Sequence, residues 1–385
     1  MADDPIRCLE FFSGIGGLHY ALKIANLNAE VIRAFDVNSI ANKVYEYNFG
    51  LAPSNKTIDQ LSIKDIDSCR AECWLLSPPC QPYTTGGRQL DIEDNRAKPL
   101  LHLIDLLPKL TVHPDYIFLE NVKNFESSQS RDLLLEQLEI LGYEVKEFLL
   151  SPIQFGIPNH RLRYYLTARR RNKRKEGDAK ADSWPQRSST IIRAWPPDQK
   201  STNTELKPRE EIGLDYFLEK DENAVKKSLV PEKYILRLYH FRLDIVRPSS
   251  TSTSCITKAY GSHHIQTSGS LVQTKRLEDT DYDWGDTQSL LSFGLRFLTP
   301  TEISRLHAFP GPEYQLHDLL RFEDSKGPLT NSYDQKDDYD PFIPPTCKPY
   351  LEFPDEVTRI QRYRLLGNSL NCWVVAELYK KMLFL

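Results

Sequence analysis

The chain has 385 residues, 40% of them hydrophobic and 26% charged, enough apolar material for a large core plus a smaller second unit. A net charge of −4 and a pI near 6.2 exclude a globally basic nucleic-acid binder, so phosphate contacts have to come from a local patch. No apolar run reaches the ~20 residues of a membrane span, and the acidic start Met1-Ala2-Asp3-Asp4 has no signal-peptide core, so no membrane association is expected.

Seven irregularly spaced cysteines read as reduced thiols of a cytoplasmic protein, with the nucleus as a second location. Cys69 and Cys73 have no second pair to complete a zinc site, and no metal is expected.

Arg7 to Phe12 is a strand candidate, Ser13-Gly14-Ile15-Gly16-Gly17 a tight turn, and Leu18, Ala21, Leu22 and Ala25 recur at helical spacing. Strand, glycine turn and helix make the first βα unit of a nucleotide-binding sheet, whose backbone can approach a ligand at the helix N-terminus. His19 stands where the fingerprint G-x-G-x-x-G needs its last glycine, which favours another adenosine cofactor over a nicotinamide one. Val31 to Phe35 reads as the second strand. It ends at Asp36, 20 residues beyond Gly16, where an acid accepts ribose hydroxyls; the competing reading is a cap for a helix starting near Ser39. Lys56-Thr57-Ile58-Asp59 offers an apolar wall and an acid to an adenine ring.

Cys73 to Leu76 reads as a buried strand, which Pro78 and Pro79 end abruptly. Cys80 is thereby delivered on a rigid turn at a strand's carboxyl end, where reacting groups of open α/β sheets gather. Taken alone, the tetrapeptide suits an ordinary loop cysteine equally well. Residues 86–95 have the look of a mobile active-site cover, and a helix follows through Leu100, Leu103, Ile104 and Leu107. Tyr116 to Leu119 is a short buried strand ending in Glu120-Asn121-Val122. Glu120 is a general-acid candidate there, with capping of the next turn as its commonplace alternative.

Arg131 to Leu141 is an amphipathic helix and Val145 to Leu150 a strand; Asn159 to Arg163 leads into another strand over Tyr164 to Ala168. Residues two apart on a strand share a face, so Arg161 and Arg163 are expected to grip one anionic or carbonyl-bearing substrate together.

A mobile linker is expected over 169–211, opening with six cations in the seven residues Arg169 to Lys175, either a solvated tract or a phosphate strip. The second region, 212–310, carries hydroxyl-rich Ser249 to Thr257 and then Lys258-Ala259-Tyr260-Gly261. Such groups suit nucleic acid, and equally any polar binding loop. Thr299 and Pro300 read as N-cap and first residue of a helix reaching Phe309. Residues 311–354 look like an acidic, loop-like insertion. A long final helix from Leu365 through Val374, Val375, Leu378 and Met382 is expected to return to the first domain, so that 355–385 completes 1–168.

Six motifs spread in order over nearly the whole chain resemble the cytosine-C5 methyltransferase family. They are Phe12 to Gly17, Pro78-Pro79-Cys80-Gln81, Glu120-Asn121-Val122, Arg161-Leu162-Arg163, Arg296 to Pro310, and Gly367-Asn368-Ser369. The short length and the string Cys255 to Gly261 are similar to the methyltransferase-2 branch, which methylates an anticodon-loop cytosine of aspartate tRNA. Ile256 and Ala259 depart from that branch, which has Phe and Gly there, and Asn159 stands where the family often has Gln.

The resemblance implies an α/β fold, a Rossmann-like S-adenosylmethionine-dependent methyltransferase sheet with a second, smaller target-recognition domain. S-adenosyl-L-methionine would be the donor and S-adenosyl-L-homocysteine the product. The resemblance assigns its cradle to Phe12, Ile15, Gly16, Gly17, Asp36, Ile58, Asp59, Ser77, Asn368 and Ser369. Cys80 would add to C6 of cytosine, Glu120 would hold N3 and the amino group, and Arg163 with Arg161 the base carbonyl or a neighbouring phosphate. Thr257, Lys258 and Tyr260 would meet the substrate. The implied partner is tRNA, tRNA-Asp first, bound by a monomer. The rivals are a DNA cytosine-C5 methyltransferase, a non-catalytic RNA-binding protein and a nicotinamide dehydrogenase.

Overall fold

A computed structural model of the chain describes residues 4–84, 90–171, 190–197, 212–311 and 348–384. The first region runs β1 (Ile6–Phe11), α1 (Gly17–Ile24), β2 (Ala29–Phe35), α2 (Ser39–Phe49), α3 (Ile63–Asp67) and β3 (Cys73–Leu76). It continues with α4 (Lys98–Leu106), β4 (Tyr116–Val122), α5 (Gln129–Ile140), β5 (Tyr143–Leu150) and β6 (Arg163–Arg170). The second region holds α6 (Glu222–Lys227), α7 (Glu232–Ile235), β7 (Ile245–Val246) and β8 (Leu271–Val272). It is followed by α8 (Pro300–Leu306), α9 (Arg359–Gly367) and α10 (Cys372–Leu378).

The main sheet has the order β2-β1-β3-β4-β6-β5, parallel except for β6, which is antiparallel to both neighbours. The chain leaves β1 toward β2 and then reverses across β1 to β3. That reversal creates the crevice where open α/β sheets bind ligands. Register makes the crevice exact in its lining: Phe11 lies level with Phe35 on one side and Leu76 on the other, and Leu76 with Leu119. One residue further on, Asp36, Phe12, Ser77 and Glu120 therefore stand in a row along the carboxyl edge.

Both faces of the sheet are covered, as strands apolar on both sides require. On one face α3, α4 and α5 contribute Ile66, Leu103 and Leu138. On the other, Leu18, Tyr45 and Val375 of α1, α2 and α10 join Phe217, Leu271 and Leu298 of the second region in one apolar cluster. The second region is thus seated on the first through a shared core. Thr299 caps α8 in a reciprocal capping box with Glu302, whose carboxylate takes two bonds, 2.7 and 2.8 Å, from fully buried Arg296.

Several expectations change. The final helix is two helices. The first helix ends at Gly367, the carbonyls of Gly367 and Ser369 accept from Arg161, and Asn371 then caps α10 by accepting from Val374 N–H. The linker expected over 169–211 starts later, since Arg169 and Arg170 are strand residues of β6. It is also pinned midway: Ile192 pairs with the free edge of β5, and Trp195 is buried against Phe155. Residues 172–189 and 198–211, with the rest of the basic strip, lie outside the described residues, as do 85–89 of the expected cover and most of 311–354. The described part of that cover is tied down, with Asp91 accepting from the Ser130 hydroxyl at 2.7 Å. At the far end of the insertion, Lys348 and Glu352 N–H groups bond buried Asn48 at 2.7 and 2.8 Å. Among the described residues no helix is long and apolar enough to cross a membrane.

Candidate active site

The crevice has two halves, one around the glycine turn after β1 and a second, the candidate reactive half, around the Pro-Pro-Cys turn. In the first, the turn after β1 depends on Gly16, whose φ of +84° is left-handed and where a Cβ would stand 2.2 Å from the Phe49 ring. Phe12 just before it is also left-handed, at φ 60°, a costly conformation for a bulky residue. The Asp36 carboxylate accepts from Gly14 N–H and Asn38 N–H, each at 2.8 Å, while Asn38 itself caps α2. The competing role proposed for Asp36, capping that helix, is therefore taken by Asn38. Burial raises the Asp36 carboxyl above its ordinary range, against the pull of these N–H groups.

Ser77 donates its hydroxyl to the Phe12 carbonyl at 2.9 Å and fixes the strained residue to the end of β3. Ile15 and Ile58 are buried, Asp59 and Asn368 exposed. A Cβ on Gly17 would stand 3.0 Å from Leu370 and 3.3 Å from the Ser369 hydroxyl, so the segment after α9 closes on the glycine turn. The Ser13 hydroxyl is buried beside this turn and has no hydrogen-bond partner among the described residues.

In the reactive half, Asn121 donates to the Pro78 carbonyl at 3.4 Å and holds the Pro-Pro-Cys turn to the end of β4. Glu120 is 9% exposed, and Arg163 Nε stands 3.6 Å from its Oε1. Burial raises the Glu120 carboxyl, with Arg163 and Arg161 pulling it back only partly. Burial also pushes the Cys80 thiol above its usual range; Arg163 opposes this and Glu120 adds to it. Arg161 and Lys258 are further cations within electrostatic reach of Cys80.

Three of the sequence-predicted residues sit differently from expectation. Arg161 precedes β6, so strand alternation does not align it with Arg163; its guanidinium is 3% exposed and donates to the carbonyls of Ile256 (3.0 Å), Gly367 (3.3 Å) and Ser369. Tyr260 belongs to the core. Its hydroxyl donates to the Ser270 carbonyl at 2.6 Å and accepts from Leu298 N–H at 2.8 Å, leaving it nothing to offer a substrate. Thr257 is half-buried in the same loop, its N–H bonded to the Ser268 carbonyl at 2.9 Å, whereas Lys258 is exposed.

Sequence reasoning passed over Cys255 as a site residue. Its sulfur lies 3.5 Å from Arg161 Nη1 and 3.6 Å from Arg163 Nη2. Burial raises this thiol, but the two arginines outweigh it and its pKa falls below the ordinary thiol value. The sequence signal was its place at the head of the string Cys255 to Gly261, two residues ahead of Thr257.

Known proteins resemble this chain over most of its length. A family model described as C-5 cytosine-specific DNA methylase matches residues 6–322. A human tRNA (cytosine(38)-C(5))-methyltransferase is 36% identical, over 98% of this chain and 99% of the relative. A Dictyostelium discoideum DNA (cytosine-5)-methyltransferase is 34% identical, over 98% of this chain and 94% of its own. Among solved structures, the S. pombe Dnmt2 methyltransferase superposes with a TM-score of 0.71 at 30% identity, covering 98% of this chain and 97% of that one.

Proposed function

The chain belongs to the C-5 cytosine-specific DNA methylase family, and from that membership we propose that it methylates C5 of cytosine 38 in the anticodon loop of tRNA-Asp, through a covalent adduct with Cys80. It is a cytosine-C5 methyltransferase, with S-adenosylmethionine as methyl donor. The observation that carries the catalytic reading is the buried Glu120–Arg163 pair, 3.6 Å apart, with the Cys80 thiol in its field. Binding alone needs neither a thiol nor a buried acid at that place.

S-adenosylmethionine, when bound, supplies a methyl group on a cationic sulfur. The crevice suits such a molecule. The unpartnered Ser13 hydroxyl, the open left-handed turn at Gly14 and the Asp36 carboxylate offer hydrogen bonds at the switch point, and Val37 beside them is 65% exposed. In this reading Asp36 takes the ribose hydroxyls, Ile58 and Asp59 border the adenine, and Phe12, Ile15, Gly16, Gly17, Ser77, Asn368 and Ser369 complete the cradle.

Cytosine C5 is a poor nucleophile while the ring is aromatic. Addition of the Cys80 thiolate to C6 makes it the carbon of an enamine, and Glu120 gives a proton to N3 as negative charge develops there. The raised carboxyl of Glu120 is matched to that task, because it keeps the proton available nearer neutrality. Arg163 faces the base carbonyl and holds Glu120 in orientation. Once C5 carries its methyl group, a base takes the C5 proton, Cys80 leaves C6 as thiolate, and N3 returns its proton to Glu120, which restores the aromatic ring. The target base has to leave its stack to reach Cys80, which a tRNA loop permits at less cost than a duplex.

The human relative's name favours tRNA, and the Dictyostelium relative's name keeps DNA as the alternative. Incubation of the full chain with methyl-labelled donor and either a tRNA-Asp transcript or duplex DNA, followed by bisulfite sequencing, tests the choice. Label at cytosine 38 of the tRNA is expected. Label in DNA alone overturns the substrate.

A further inference from the structure

Arg161 is the centre of a seam that the reaction as described does not use. Its guanidinium is buried and bonded to backbone carbonyls from two distant segments, Ile256 on one side and Gly367 and Ser369 on the other, with the Cys255 sulfur 3.5 Å away. The two segments also touch directly. A Cβ on Gly367 would stand 2.3 Å from the Thr257 carbonyl carbon and 2.4 Å from Lys258 nitrogen, so the backbones are in contact and only glycine fits. On its far side the 367–370 segment closes on the glycine turn, through Ser369 and Leu370 against Gly17. On its near side the 255–258 loop carries Lys258 and Cys255 toward Cys80 and Arg163.

Burying a guanidinium costs less the more of its donors find acceptors; Arg161 Nε has no partner among the described residues, so the bonds of its two Nη atoms carry the compensation. Displacing either segment would strip Arg161 of part of its acceptors, so the two segments hold their places together. We propose that Arg161 is a positioning residue that couples the two halves of the crevice: a methyl donor packed against 367–370 fixes the 255–258 loop, so donor and nucleic acid bind cooperatively. The inference rests on the methyl-transfer reading above for the identity of the two ligands.

The test is a linkage measurement on the full chain. Affinity for a tRNA-Asp transcript is measured by fluorescence anisotropy with and without saturating S-adenosylhomocysteine, and S-adenosylhomocysteine affinity by calorimetry with and without the transcript. Tightening of about 5- to 150-fold is expected in both directions and by the same factor. Arg161→Met, and independently Gly367→Ala, should bring that factor close to one; Arg161→Lys, which keeps the charge but not the fork, should restore little of it.

A wild-type factor within about twofold of one overturns the proposal, as does an undiminished factor in either variant melting at the wild-type temperature. Should a variant not fold, the wild-type factor decides. Repeating the titration with duplex DNA separates the two readings: coupling with DNA but no tRNA binding refutes the tRNA assignment and keeps the seam, and tRNA methylation without coupling does the reverse.

Discussion

Glu120→Gln separates proton delivery from shape. The glutamine fits the same buried site, 9% exposed in the parent, and keeps an oxygen beside Arg163, which stands 3.6 Å from the carboxylate in the parent, but it has no acidic proton to give. Loss of a positioned general acid costs about 10²- to 10⁴-fold in rate, roughly 3 to 5 kcal/mol of transition-state stabilisation. Donor affinity should be unchanged, since Glu120 lies in the reactive half.

The pH profile carries more information than the rate. The active form needs Glu120 protonated and Cys80 ionised, yet burial raises the thiol above its ordinary 9.0, and the raised carboxyl starts from 4.5. Below the carboxyl's pKa, kcat/KM climbs with pH as thiolate accumulates. Between the two values the gain in thiolate cancels the loss of protonated acid, and the rate is flat. Above the thiol's pKa it falls. Glu120→Gln removes the acid requirement, so the variant's kcat/KM should climb without a plateau up to the thiol's pKa. Labelled methyl transfer measured from pH 5 to 10 reads both curves. A loss below tenfold, or a plateau that persists in the variant, refutes the assignment of Glu120 as the acid.

Cys80→Ala should abolish methyl transfer while leaving S-adenosylhomocysteine affinity by calorimetry within about twofold, and retained turnover removes the covalent adduct. Glu10 is fully buried under the glycine turn, bonded at 2.7 Å by the Tyr45 hydroxyl, and burial pushes its carboxyl up to about 8. Because the folded value exceeds the ordinary 4.5, ionisation opposes folding: stability should decline as pH rises from about 4.5 to about 8 and level off above. Glu10→Gln should flatten that decline in thermal melts between pH 4.5 and 9; an unchanged slope would assign it to other groups. If the strip from Arg169 to Lys175 holds RNA phosphates, neutralising it should weaken tRNA binding and lower the salt slope by about 0.7 to 0.9 per lost contact. An unchanged slope returns it to solvated surface.

Much of the frame is written locally. Glycine after β1, prolines after β3 and an acid two residues short of the end of β4 act through their own backbone chemistry, so strand ends, turns and the residues they deliver follow largely from a few neighbours in sequence. Thr299 and Pro300 start α8 for the same reason. Periodicity likewise marked Val374, Val375 and Leu378 as one apolar face, and these side chains are buried on the α1 side of the sheet.

What tertiary structure alone decided are the roles that depend on partners far away in the chain. Arg161 and Arg163 are equivalent as sequence, yet one is surrounded by carbonyls from residues 256, 367 and 369 and the other faces Glu120. Tyr260 is an aromatic in a polar loop until Ser270 and Leu298 take both sides of its hydroxyl. Cys255 is one of seven cysteines until two guanidinium groups converge on its sulfur. Burial and electrostatic fields are sums over everything nearby in space. The sequence by itself therefore named candidate reacting groups, and only the fold decided which of them face the crevice and which hold it in shape.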